Sequence, residues 1–142
     1  MRYAFFLALA MISFSDCTNK TNTMKTSDLE NTYWILSEMD GLASVPAEMR
    51  SRPAFIRFAD SGRVSFSVGC NNMMGTYKME EGKFDIKTGP STMMACPEPL
   101  MTLERAYAQL LSEVDRYHVK GDKLQVQKGD AVLATFTKGG EQ

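Results

Sequence analysis

Residues 63–68 read Arg-Val-Ser-Phe-Ser-Val, with an apolar side chain at every second position. Side chains two residues apart lie on the same face of an extended chain, so this period is typical of a strand with one face in the core. Further runs of alternating, branched or aromatic residues occur at 33–36, 54–58, 76–79, 83–87, 117–119, 123–127 and 131–136. Turn-forming residues separate most of these runs, which favours antiparallel pairing, and the last three are expected to form a meander.

One segment has a helical period instead. Pro97-Glu98-Pro99 is followed by apolar residues three and four positions apart, with polar residues between them. Proline and an acidic residue are both favourable in the first turn of a helix. The spacing predicts an amphipathic helix over about 99–114 whose apolar face, including Leu103 and Leu110, is buried. One helix and about seven strands predict an α+β fold, in which a curved, mostly antiparallel sheet packs on the helix.

The bulk composition indicates one folded domain. The chain has 142 residues, 44% of them hydrophobic, and a formal net charge of −1. This length and apolar content suit a single core, and the charge gives no basic surface for nucleic acid. We place the domain at 31–138 and expect it to be a monomer. The segment before it is polar and rich in Thr and Asn, so 17–30 is predicted to be a flexible tether.

The N-terminus has the pattern of an export signal. One arginine is followed by an apolar run that is too short to span a membrane, so we predict a signal peptide at 1–16. Cys17 follows directly, as does the lipid-accepting cysteine of bacterial lipoproteins, although Phe14 and Asp16 depart from the residues usual before it. The expectation is a lipid-anchored protein facing the periplasm or cell surface. The alternative is an ordinary secretory signal and a periplasmic or secreted protein.

Two short motifs carry a resemblance to a known family. Residues 69–77 read Gly-Cys-Asn-Asn-Met-Met-Gly-Thr-Tyr, and residues 92–97 read Thr-Met-Met-Ala-Cys-Pro. Together with Trp34, Gly41 and a glutamate in the predicted helix, they resemble the META/HslJ-like domain family over nearly the whole mature chain. The positions that carry the family pattern are Gly69, Asn71, Gly75, Tyr77, Thr92, Met94, Ala95 and Glu104. The resemblance implies a small bacterial envelope domain, often a lipoprotein, linked to heat or antibiotic stress, with no established enzymatic activity and no defined catalytic residues.

Two cysteines lie within these motifs. Cys70 and Cys96 are expected to form a disulfide, because cysteines in an exported domain are more often paired than free. The third, Cys17, would be lipidated or removed, which leaves an even number. The alternative is a pair of buried thiols that only pack.

The asparagines of the first motif are expected to surround a bend. Asn and Gly both tolerate positive φ, and Asn71, Asn72 and Gly75 lie close together in the sequence. The alternative is that Asn71–Met74 forms an exposed loop that recognises a partner.

Six of the eleven methionines lie near the two cysteines in sequence, namely Met73, Met74, Met79, Met93, Met94 and Met101. Thioethers are soft ligands that can hold Cu(I). However, the pairs lack a spaced repeat, and adjacent residues of a strand face opposite sides. We therefore interpret the methionines as core filling and predict no metal site, with a methionine-rich copper carrier as an alternative.

Residues typical of catalysis are few and scattered. His118 has no nucleophile at a fixed spacing, and Glu80, Glu81 and Asp85 lie at a predicted hairpin turn where carboxylates are usually solvated. We therefore predict no catalytic residue and no cofactor. The leading hypothesis is a non-catalytic domain that binds an unidentified envelope partner under stress. A small inhibitor of secreted proteases is the alternative, since a curved sheet around one helix can present rigid loops to a cleft.

Overall fold

The computed structural model describes residues 25–42 and 52–140. A 3-10 helix at Thr26–Asp28 precedes eight strands and one helix, which are β1 Tyr33–Met39, β2 Phe55–Phe58, β3 Arg63–Ser67, β4 Asn72–Glu80, β5 Lys83–Ser91, α1 Glu98–Ser112, β6 Arg116–Lys120, β7 Lys123–Lys128 and β8 Ala131–Gly139. The predicted signal peptide and Cys17 lie outside the described residues. Within the two described ranges, no helix is long and apolar enough to cross a membrane.

The eight strands form one curled sheet. Their order is β5-β4-β3-β2-β1-β8-β7-β6, and every neighbouring pair is antiparallel. The two edges approach each other, because the Phe84 N–H donates to the carbonyl oxygen of Asp115 over 2.8 Å, and the Phe84 and Tyr117 ring centroids are 4.7 Å apart. The predicted α+β fold with a curved antiparallel sheet is confirmed, with eight strands rather than about seven.

The predicted bend falls in a different place. β4 already begins at Asn72, and Gly75 lies inside the strand beside an irregularity in its pairing with β5. A Cβ atom on Gly75 would collide with the carbonyl oxygen of Lys87, so glycine is required there by close backbone approach rather than by positive φ. The chain bends earlier, at Gly69, whose φ of 110° suits glycine alone.

Helix α1 fills the concave side of the sheet and begins and ends within two residues of the predicted bounds. Its buried side chains are Leu103, Tyr107 and Leu111. The Tyr107 ring packs edge-on against Phe66, with centroids 5.8 Å apart, and its hydroxyl donates to the carbonyl oxygen of Phe55 over 3.3 Å. The helix is therefore a central element of the core.

The predicted burial of Leu103 is confirmed, and that of Leu110 is confirmed only in part. Leu110 is only partly buried, whereas Leu111 is completely inaccessible. Residues four apart lie above one another on a helix, so Leu111 continues the line through Leu103 and Tyr107, and Leu110 is rotated about 100° away from it.

The folded domain begins earlier than the sequence predicts, inside the range 17–30. Leu29 is completely buried, and its carbonyl oxygen accepts a 3.2 Å hydrogen bond from the Trp34 indole nitrogen. Glu30 forms a bridge with Phe58 of β2. The prediction of a tether is therefore wrong for residues 26–30, because one apolar side chain in this polar segment is enough to anchor it in the core.

Candidate functional site

Asn71 lies at the centre of the family motif residues. Its side-chain oxygen accepts hydrogen bonds from the backbone N–H of Met94 (2.8 Å) and the hydroxyl of Thr92 (3.0 Å). Its side-chain nitrogen donates to a carboxylate oxygen of Glu104 (3.0 Å) and to the carbonyl oxygen of Met94 (3.3 Å). An asparagine amide offers two acceptor and two donor positions, so this buried side chain is fully satisfied. The alternative of an exposed recognition loop at Asn71–Met74 therefore fails at its first residue, because Asn71 is buried.

Glu104 joins helix α1 to this asparagine. One carboxylate oxygen accepts from the backbone N–H of Asn71 over 2.6 Å, and the other accepts from the side-chain nitrogen of the same residue. Hydrogen bonds to a carboxylate are stronger than those between neutral groups. The two bonds therefore fix the helix against the connection between β3 and β4.

The disulfide predicted between Cys70 and Cys96 is confirmed. The two Cα atoms are 6.4 Å apart, and the bond adds a covalent link between the same two parts of the chain that Asn71 joins. The sulfurs and the Glu104 carboxylate lie within 4.8 Å of one another, which is a donor set suited to a metal ion. Sulfurs joined to each other carry no thiolate, however, so the oxidised protein offers neither that ligand set nor a cysteine nucleophile.

We use the term motif cluster for the connected residues Cys70, Asn71, Thr92, Met94, Cys96 and Glu104. The remaining motif residues lie outside this cluster. Gly69 is the bend just before it, and Ala95 is an exposed neighbour. Gly75 and Tyr77 lie farther along β4, where Tyr77 donates from its hydroxyl to the carbonyl oxygen of Ala59 over 2.7 Å. The sequence motif thus combines one connected cluster with positions that shape the sheet.

A second set of polar side chains, which includes Glu30, could not be predicted from the sequence, because Glu30 lies in the segment predicted to be a tether. A Glu30 carboxylate oxygen also lies 2.9 Å from the Tyr77 hydroxyl oxygen, so the single hydroxyl proton is shared between this carboxylate and the Ala59 carbonyl. Burial, followed by the hydrogen bond to Glu30, raises the pKa of Tyr77 well above its usual range. Burial and the carboxylates of Asp28 and Glu30 raise the pKa of Tyr117 to about 12. Both phenols therefore stay protonated at neutral pH, and within the described residues the Tyr117 hydroxyl has no partner.

Most of the exposed large apolar side chains belong to the motif cluster or lie close to it in the sequence. Among the described residues, four large hydrophobic side chains are exposed: Met93 (96%), Met74 (59%), Met94 (47%) and Val132 (41%). Met73 is buried, so the pair on β4 faces opposite sides as predicted. Core filling is therefore confirmed for Met73 and wrong for Met74, Met93 and Met94. We call residues 92–96 the Met93 segment.

The residues weighed for catalysis lie elsewhere. His118 is in β6, opposite Gln125 of β7. Glu80, Glu81 and Asp85 are exposed, as predicted, and line a groove of about 740 Å³ that opens to solvent at the β4–β5 hairpin. Lysines of the same hairpin also line it, so the groove carries both signs of charge.

The domain is a small half-barrel, in which a curled antiparallel sheet packs around one helix. A disulfide and an asparagine with all its hydrogen-bonding positions occupied lie beside the helix. The motif residues fit the family that they resembled in the sequence. The chain belongs to the META domain family, whose model matches residues 27–140.

Several solved structures have a similar fold. A protein from Burkholderia xenovorans, solved by NMR, is 26% identical, with a TM-score of 0.66 and a match covering 99% of each chain. Another NMR structure is 20% identical, with a TM-score of 0.61, covering 80% of this chain and 95% of that one. A crystal structure of a DUF4847 family protein from Bacteroides vulgatus is 12% identical, with a TM-score of 0.59, covering 82% and 99%. No curated protein matches the chain.

Proposed function

We propose that this protein is a non-catalytic binding domain of the bacterial cell envelope that contributes to tolerance of heat or antibiotic stress. The observation that carries the proposal is the placement of Met74, Met93 and Met94. Of the four exposed large apolar side chains in the described part of the chain, Met94 belongs to the motif cluster, and Met93 and Met74 lie close to cluster residues in the sequence. Exposed apolar groups that gather in one place are typical of contact surfaces.

The chemistry of the motif cluster supports binding over turnover. The amide of Asn71 is occupied on both its oxygen and its nitrogen, and Glu104 accepts bonds from Asn71 on both carboxylate oxygens. Cys70 and Cys96 are bonded to each other. Groups held in this way are suited to fixing a backbone rather than to moving protons or attacking a substrate.

The side chains on that fixed backbone are suited to contact. Methionine is unbranched and polarizable, so it adapts its shape to an apolar partner surface. The backbone beneath Met94 is held by two hydrogen bonds to Asn71, which lowers the ordering cost of association. The binding surface thus combines a rigid backbone with side chains that can adapt to a partner.

The envelope location rests on the N-terminal sequence. An apolar run, a cysteine and a polar stretch suit export and lipid anchoring. A disulfide is compatible with an oxidising compartment. The link to stress tolerance comes from the resemblance to the META/HslJ-like family, so it belongs to the same proposal.

Complementation of a deletion strain tests the proposal. We expect the double variant Met93→Gln/Met94→Gln to fail to restore stress tolerance, although its unfolding free energy stays within about 0.5 kcal/mol of the wild type because both side chains are exposed. The matched control is Val132→Gln, which changes an exposed apolar residue on β8 and should restore tolerance fully.

Two further variants test the proposal that the protein acts without catalysis. His118→Ala and Glu81→Gln are each expected to restore tolerance. If either one folds normally and fails, a catalytic or metal site has been missed and the proposal is wrong. The proposal also fails if the double methionine variant restores tolerance as well as the wild type does.

A further inference from the structure

We propose that the Met93 segment is a substrate-like inhibitory loop that occupies the cleft of a secreted serine endoprotease, with the Met93 side chain in an apolar S1 pocket. The inference rests on the proposed binding function and names the class of partner. It follows from the backbone direction of the segment, the attachment of its ends and the exposure of Met93.

The backbone of the segment is extended at Met94. Both its N–H and its carbonyl oxygen bond to the side chain of Asn71, over 2.8 and 3.3 Å. Only an extended residue directs both of these groups to the same side, and its neighbours then direct theirs to the opposite side. If the extended conformation continues on both sides of Met94, the N–H and carbonyl groups of Met93 and Ala95 are directed away from Asn71. Proteins that bind an extended peptide pair with backbone groups presented in this way.

Both ends of the segment are attached to the domain. At one end, the Thr92 N–H donates to the carbonyl oxygen of Asn72, and the Thr92 hydroxyl accepts from the Asn72 N–H, both over 3.0 Å. At the other end, Cys96 is bonded to Cys70, and Pro97 then precedes helix α1. A segment held at both ends has little conformational entropy to lose when it enters a cleft.

Met93 is the most exposed large apolar side chain in the described residues, with 96% of its surface accessible. A long unbranched apolar side chain fits the hydrophobic S1 slot of chymotrypsin-like enzymes, whereas the acidic S1 pocket of trypsin selects a cation. Thr88–Ser91 and Glu98–Pro99 are also exposed, so the flanks of the segment can add contact area. Protease–inhibitor contacts typically cover about 800 Å² on each partner.

The bonds that hold both ends of the segment also explain why such a loop would inhibit the protease rather than be hydrolysed and released as a substrate. Hydrolysis breaks the Met93–Met94 peptide bond, so that the oxygen of water joins the Met93 carbonyl carbon as a carboxylate and the Met94 nitrogen leaves as an amine. In the intact protein, Asn71 and the disulfide hold that amine beside the acyl carbon. The nearby amine favours resynthesis of the bond over release of the product.

Inhibition assays with chymotrypsin, subtilisin and trypsin test this inference on the purified oxidised protein. We expect an inhibition constant below about 1 µM for chymotrypsin or subtilisin and no inhibition of trypsin. Met93→Lys is expected to reverse this preference, lowering the inhibition constant for trypsin by roughly 100-fold or more. The matched control Val132→Lys adds the same charge on β8 and should change neither value.

The variant Cys70→Ser/Cys96→Ser gives a second measurement. Because the segment is no longer held by the disulfide, chymotrypsin or subtilisin is expected to cut it between Met93 and Met94. Mass spectrometry of the fragments detects this cut. Met93→Lys retains the disulfide, so the test does not depend on the folding of the double serine variant. The inference is overturned if neither chymotrypsin nor subtilisin is inhibited at about 10 µM, or if Met93→Lys leaves trypsin fully active.

The same assays separate this inference from the proposed function. If the methionine double variant loses complementation while the wild type inhibits none of the proteases, the binding function stands and the inhibitory loop is wrong. If the wild type inhibits and the double variant still complements, the loop is supported and the role of this surface in stress tolerance is wrong.

Discussion

Replacing both Cys70 and Cys96 by serine is expected to lower the free energy of unfolding by about 3–4 kcal/mol. The two residues are 26 positions apart, so their bond removes a large number of conformations from the unfolded chain. Serine is close to cysteine in size, so the loss reports the bond more than the packing. Urea unfolding of the wild type and the double variant measures it, with similar slopes expected for both if the native contacts are kept.

A reductant supplies the control for this experiment. The wild type in excess dithiothreitol should lose about the same free energy as the double serine variant, and the variant itself should not respond. If the reductant changes nothing and the variant loses less than about 1 kcal/mol, the cysteines are free thiols in solution and the disulfide is wrong.

Leu111→Ala is expected to lower the free energy of unfolding by about 2–5 kcal/mol, because it removes a completely buried side chain and leaves a cavity between helix and sheet. Leu110→Ala is the matched control, since it makes the same chemical change one position away at a partly buried site. Both changes introduce the best helix-forming residue, so helix propensity does not account for a difference between them.

The comparison of the two leucine variants tests the orientation of helix α1. Thermal or urea unfolding should place Leu110→Ala much closer to the wild type than Leu111→Ala. Equal losses, or a larger loss at Leu110, would mean that the helix presents a different face to the sheet.

The secondary structure could be predicted from local patterns because its causes are local. The alternation at 63–68 and the spacing after Pro99 each follow from one element burying one face. The choice between Leu110 and Leu111 could not be made in this way, since both positions fit a spacing of three and four. The line through Leu103, Tyr107 and Leu111 depends on where the sheet lies.

The contacts of the site could be predicted only in part. The pairing of Cys70 with Cys96 follows from cysteine usage in exported proteins. The hydrogen bonds of Asn71 could not be found from spacing, because its partners are 21 to 33 residues away. The resemblance identified these positions without showing that they contact each other. Leu29 was missed because a single apolar residue has no periodicity.

Amide hydrogen exchange at Met94 tests the central claim most directly. The claim is that the motif cluster holds the Met93 segment in one extended conformation. The Met94 N–H donates to the side-chain oxygen of Asn71, whereas an extended segment directs the Met93 N–H away from Asn71. We expect the Met94 amide to exchange at least about 100-fold more slowly than its intrinsic rate, and the Met93 amide to exchange close to its own. Unprotected exchange at both amides would contradict the claim, because it would show that Asn71 does not hold the segment in solution.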